Sequence, residues 1–171
     1  MFVTDVNNIN KLLDSGERTK FVGGAKRDMH EGKGRCDLVP WEALDTFNKD
    51  EFLRHAGYYI RSGNTRELFS MIEILFNLSG KHSSTFLLEL SMHYEAGAKK
   101  YDDRNWELGV PIHSFIDSAI RHYLKYMRDD EDEPHLIACM WNLTGALWTQ
   151  HNHPELMDLP INDVQIEMEV K

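Results

Sequence analysis

Apolar residues recur along most of this chain at intervals of three and four, the mark of helices that bury one face. The cleanest run is Leu68, Met71, Ile72, Leu75 and Phe76, capped near Asn64-Thr65 and stopped by Leu78-Ser79-Gly80. The segment before it opens at Pro40-Trp41, with Glu42 in the first turn as a start signal, and closes at Ser62-Gly63-Asn64. Leu44, Phe47, Phe52 and Leu53 give that segment an imperfect stripe, broken near Asn48. Ser83-Ser84 caps a third helix through Phe86, Leu87, Leu90 and Tyr94. Pro111 precedes a fourth, with Phe115, Ile116, Ala119, Ile120, Tyr123, Leu124 and Met127 as its apolar positions. Arg128 to Glu133 is a tight acidic turn. Pro134 then opens a fifth helix, buried by Leu136, Ile137, Met140, Leu143, Ala146 and Leu147 and ending near Gln150.

Other stretches lack this period. Residues 20–40, KFVGGAKRDMHEGKGRCDLVP, are Gly-rich and charged, and are expected to be a loop. A loop of that length in a compact domain is either functional or a solvated tail. Residues 1–19 offer only a short helix around Ile9 to Leu13. Val164 to Val170 alternates, as an edge strand or a disordered tail would. Every strongly periodic segment is helical, so the expected fold is an all-α bundle of four to five helices with an N-terminal Gly/basic loop. The chain divides into a segment 1–22, a helical domain 23–150 and a tail 151–171.

Composition narrows the function classes. The chain has 171 residues and a net charge of −9, which argues against a general nucleic-acid binder. Residues 1–40 hold seven Lys/Arg and six Asp/Glu, so residues 41–171 carry a net −10. An acidic body with concentrated basic clusters suits a metal-dependent site for a small anion, and equally an ordinary surface. No run is apolar enough to span a membrane, and the N-terminus lacks the basic start and apolar core of a secretory signal. Cys36 and Cys139 are therefore expected as reduced thiols in a cytoplasmic protein.

The chemistry concentrates in HYEAGAKKYDDRNWELGVP, residues 93–111. Lys99, Lys100, Arg104, Asn105, Trp106 and Tyr101 form a phosphate binder's inventory where a plain connector would be Gly, Ser, Asp or Asn. Two glycine-basic units precede it, GAKRD at 24–28 and Gly32-Lys33-Gly34-Arg35, where backbone N–H groups and side-chain charge can meet a ligand. The spacing of a Walker A loop is absent. Helices four and five form a hairpin carrying Asp117, Arg121, His122, His135 and Asn142, with Asp132 at its mouth and Glu95 at the end of helix three. Facing helices of a bundle are where carboxylate and histidine metal sites are built, here for Mg2+ or Mn2+. Each residue also has a plainer role: His122 as a polar edge, Asp132 as part of a solvated acidic turn, Trp141 and Trp148 as core. Asn142, in the nearly apolar ACMWNLTGALW, must be hydrogen-bonded, as a structural bridge or a ligand contact.

Four stretches in this order, GAKRDMHEGKGRCDLVP, HYEAGAKKYDDRNWELGVP, DSAIRHYLKYM and DEPHLIACMWNL, resemble the phage dATP/dGTP diphosphohydrolase family, related to the MazG-like all-α nucleotide pyrophosphohydrolases. The resemblance covers residues ~23–40 and ~93–148, with an extra apparent helix pair at about 45–85. It implies a MazG-like bundle and Mg2+- or Mn2+-dependent hydrolysis of purine deoxynucleoside triphosphates to the monophosphate and pyrophosphate. The setting implied is bacteriophage nucleotide-pool or 2-aminoadenine DNA metabolism in the host cytoplasm. The ExxE…ExxD metal set of MazG-type enzymes is not literally present, and the positional equivalents are Glu95, Asp117, His122, Asp132 and His135. Glu95, His122 and His135 are the catalytic candidates. Lys33, Arg35, Lys99, Lys100 and Arg104 would neutralise the leaving pyrophosphate, and Asn105, Trp106 or Asn142 would hold the sugar or base. Such paired-helix modules commonly complete themselves as homo-oligomers. The competing expectations are a His/Asp-type dNTP phosphohydrolase, against which stands the lack of an adjacent His-Asp pair, and a non-catalytic helical binding module.

Overall fold

The computed structural model describes residues 16–29, 31–45, 47 and 49–159. The expected helix at Ile9 to Leu13 and the alternating stretch Val164 to Val170 lie outside them. Among the described residues six α-helices follow one short β-hairpin, so the fold is the expected all-α bundle.

Local signals set the helix bounds. A single turn, α1 (Trp41–Leu44), follows Pro40, and the chain then breaks before α2 (Glu51–Ser62). The break has a cause: the Asp50 carboxylate accepts the Leu53 N–H as an N-cap. α2 ends at Gly63 and α3 (Thr65–Ser79) ends at Gly80, both left-handed at φ 62° and 59°. Between them Asn64 caps α3 through the Arg66 N–H. α4 (Ser83–Tyr101) is capped by the His82 ring on the Ser84 N–H, one residue before the expected Ser83 cap. α5 (Ile112–Met127) and α6 (His135–Asn152) form the expected hairpin.

One core serves all of these elements. Phe52 and Tyr59 of α2, Leu68 and Met71 of α3, Phe86 of α4, Phe115 and Ile120 of α5 and Met140 and Leu143 of α6 are almost fully buried. The helices at 45–85 are thus part of this core. The Phe52 and Tyr123 rings stack 4.0 Å apart, and the Tyr59 hydroxyl donates to Gln150 at 2.8 Å. α5 and α6 approach closely because Gly145 has no side chain: a Cβ there would lie 2.5 Å from the Phe115 ring. No helix among the described residues is long and apolar enough to cross a membrane.

Residues 20–40 are less irregular than expected. β1 (Arg18–Lys20) pairs antiparallel with β2 (Lys26–Asp28), Arg18 opposite Asp28, and a 3-10 turn spans Cys36–Leu38. The strands are three residues long and wholly polar, so no alternation betrays them. They persist because helix side chains hold them.

Candidate functional site

β2 is fastened residue by residue. Asn105, from the 3-10 turn after α4, accepts the Lys26 N–H and donates to the Lys26 carbonyl, both at 2.9 Å. Its amide stands where a neighbouring strand would. Arg27 donates through Nη2 to Asn142 Oδ1 at 2.7 Å, and Asn142 Nδ2 donates to the Ala138 carbonyl. Asp28 accepts from Lys100 and from the Tyr101 hydroxyl, each at 2.7 Å, with Arg18 at 3.1 Å. Burial pushes the Asp28 carboxyl up, but the Lys100 and Tyr101 hydrogen bonds outweigh it and the net shift is down. The segment after β2 is pinned to α5. Asp117, fully buried, accepts the Cys36 N–H at 2.6 Å and the Arg121 guanidinium, which also donates to the Lys33 and Gly34 carbonyls.

This docking walls a cavity of about 850 Å³ between the β-hairpin, the end of α4 with its loop, and the α5–α6 pair. At one end stand the histidines. His122 Nδ1 lies 3.1 Å from His135 Nδ1 and 3.1 Å from Glu133 Oε1, and the third side of the triangle is 3.6 Å. Ligand atoms about 2.0–2.2 Å from one ion lie about 3.0–3.5 Å from each other. The triangle therefore has the dimensions of a metal site. On the far side, His135 Nε2 is 2.6 Å from Asp132, whose pKa is lowered to about 2, first by the Lys125 hydrogen bond and then by His135. In the tautomer that donates Nε2–H to this carboxylate, the Nδ1 lone pair faces the triangle. Burial holds His122 well below the usual histidine pKa, with His135 adding to the shift. Burial alone brings His93, on the cavity wall, to about 4. Neutral imidazoles are the form that binds metal.

The other end is aromatic. Trp106 meets Tyr94 and Trp148 edge-on, and Trp141 tilts against Tyr94, His93 and Phe115.

The sequence-predicted residues are distributed as follows. Lys33, Glu95, Lys100, Arg104, Asn105, Trp106, His122 and Asn142 line the cavity. His135 and Asp132 back it through His122. Asp117, Arg35 and Lys99 stand outside it. Asp117 is occupied as the staple just described, Arg35 pairs with Asp37, and Lys99 pairs with Glu95 on the surface. Neither Glu95 nor Asp117 joins a cluster of three metal-type donors among the described residues. Asn105 and Asn142 hold β2 with the polar atoms that were expected to meet a ligand. Sequence reasoning missed Glu133 and Arg27. Glu133 was hidden in an acidic turn, though it sits fixed between that turn and the Pro134 that opens α6. Arg27 was visible only as one of two basic residues in GAKRD.

Seven Lys or Arg and six Asp or Glu line the cavity, so it is nearly neutral. Lys100, Arg104, Arg121 and Lys125 are already paired with Asp28, Glu107, Asp117 and Asp132. Among the described residues the ammonium groups of Lys26 and Lys33 make no close ion pair, and burial lowers the Lys33 pKa although Asp28 and Glu133 act against it from farther off. The available cations thus come from the β-hairpin and its following loop.

A model of the family described as dATP/dGTP diphosphohydrolase, N-terminal, matches residues 72–159, just over half of the chain. That span runs from α3 to the turn after α6 and contains the triangle, while β2 and the Gly-rich segment precede it. No curated protein and no solved structure matches the chain.

Proposed function

This chain belongs to the dATP/dGTP diphosphohydrolase, N-terminal, family, and from that premise we propose that it hydrolyses purine deoxynucleoside triphosphates to the monophosphate and pyrophosphate. The observation that carries the reading is the His122–Glu133–His135 triangle at the wall of a nucleotide-sized cavity. A triphosphate brings about four negative charges, and a nearly neutral cavity cannot hold it without an added cation. His122, Glu133 and His135 would hold that ion. Two imidazoles and one carboxylate suit Mn2+ better than Mg2+, which prefers oxygen ligands. The ion would supply Lewis-acid polarisation of a phosphoryl oxygen and a more acidic water.

The chain's own residues do the rest. Lys26 and Lys33, on the β-hairpin and the loop after it, meet phosphate oxygens and stabilise charge on the leaving pyrophosphate. Asp132 keeps the His135 ring oriented. Asn105, Asp117 and Arg121 act as positioning residues that hold the lysine-bearing segment in place. A homo-oligomer belongs to the same reading: Phe69, Leu87 and Leu88 are 55%, 50% and 67% exposed on α3 and α4, and a second copy would cover them.

The test is a product assay with each of the four dNTPs and Mn2+ or Mg2+. The expected result is dAMP or dGMP plus pyrophosphate, abolished by EDTA. Release of a nucleoside with triphosphate would move the protein to the His/Asp class of reaction. Absence of turnover with every nucleotide and metal would make it a binding module.

A further inference from the structure

Arg27 is a cation of the cavity wall that is enclosed and still incomplete among the described residues. Its Cζ lies 5.1 Å from the Phe115 ring centroid and 5.5 Å from that of Trp141. Nη2 is held by Asn142 at 2.7 Å, and Asn142 is itself anchored to the Ala138 carbonyl. Nη1 is buried and has no acceptor among the described residues. An unmet buried donor is costly, whereas the backbone of Lys26 and the carboxylate of Asp28 on either side are hydrogen-bonded. Burial brings the Arg27 pKa down to about 10, so the group remains charged at neutral pH; Asp117 and Asp28 favour that charge from a distance, but neither accepts from Nη1.

Its place along the helices tells what could complete it. Asn142 is two turns beyond His135 on α6, and Phe115 is two turns before His122 on α5. Both put the guanidinium about 10 Å along the hairpin from the triangle. That separation is too great for a phosphoryl group held at the triangle. It matches the far end of the same nucleotide, beyond the sugar. The surroundings agree, because Trp141, Tyr94, Trp106 and Trp148 offer flat apolar faces suited to a base.

Resting on the proposed function above, we propose that Arg27 is a specificity-determining residue whose Nη1 donates a hydrogen bond to N7 of a purine base, with Asn142 as its positioning residue. N7 is an acceptor at the same place in adenine and guanine and has no counterpart in pyrimidines. Guanine adds O6 beside it as a second acceptor, whereas adenine places an amino donor there. Arg27 therefore favours purines over pyrimidines and dGTP over dATP.

The experiment compares dGTP with 7-deaza-dGTP, and dATP with 7-deaza-dATP, on the unmodified protein and on Arg27→Met. With the unmodified protein, loss of N7 should lower kcat/KM by about tenfold or more. In Arg27→Met the deaza and normal substrates should be turned over alike, and the dGTP/dATP ratio should fall toward one. The comparison on the unmodified protein stands even if the variant folds poorly. Turnover of dGTP and 7-deaza-dGTP at equal kcat/KM by the unmodified protein overturns the role of Arg27 and leaves the proposed function intact. Failure to turn over any dNTP overturns both.

Discussion

The α5–α6 hairpin and the β-hairpin segment face each other across one cavity, but they are held in place by different physics. α5 and α6 are held by burial: Phe115, Ile116, Ile120, Met140 and Leu143 are almost inaccessible, and Gly145 lets the Phe115 ring rest against the α6 backbone. Among the described residues, the segment from β1 to Leu38 buries only Ala25 and Asp37. It is fixed by polar staples, Asn105 on Lys26, Asn142 on Arg27, Lys100 and Tyr101 on Asp28, and Asp117 on Cys36. Metal-type donors stand on the apolar-packed side, and the available cations stand on the stapled side. The two halves of the site should therefore fail in different ways.

The largest effect should come from cutting the deepest staple. Asp117→Ala leaves the Arg121 guanidinium, 16% exposed, without its carboxylate and the Cys36 N–H without an acceptor. Loss of one partner of such a pair costs about 3–5 kcal/mol, which denaturant unfolding will read. Acid should act next, on the helices. His93 has a folded pKa of about 4, so below its ordinary value the unfolded chain takes up the proton first. Its contribution is fully present above about pH 6.5 and declines as pH falls, by about 2 kcal/mol at pH 5. His122, shifted in the same direction, adds to that loss. Urea midpoints at pH 7.5 and pH 5 give the difference, and His93→Gln should flatten it.

Two glycines sharpen the contrast. Gly145→Ala drives a methyl into the Phe115 ring and should cost about 1–3 kcal/mol through overpacking. Gly34→Ala meets open space, yet φ is +81°, so it should cost about 1–2 kcal/mol through backbone strain alone. The thermal midpoint reads both. If Gly34→Ala instead has no effect on stability or on kcat/KM, the segment is not held in the conformation described.

Helices α3 to α6 could be read from the chain because their apolar period is local. The first helix could be read only in part, since its stop depends on the Asp50 cap. The β-hairpin could not be read at all: its three-residue strands carry no period, and the groups that hold them lie 70 or more residues away. The same distance explains the site. Lysines and arginines counted as phosphate ligands from sequence proved to be paired, Lys100 with Asp28 and Arg104 with Glu107. His122, His135 and Asp132 were legible as polar residues on an apolar hairpin. Glu133 was not, because one acid in DDEDE differs from its neighbours only in which way the turn points it. The requirement that Asn142 be hydrogen-bonded was legible, but its partner, Arg27, was not.

The most direct test is a titration of the protein with Mn2+, followed by electron paramagnetic resonance without nucleotide. The prediction is one ion per chain, with affinity reduced tenfold or more in His122→Ala and in Glu133→Gln and retained in Glu95→Gln. Unchanged affinity in Glu133→Gln and His122→Ala, or loss in Glu95→Gln instead, would contradict the assignment of the triangle and move the metal to the end of α4.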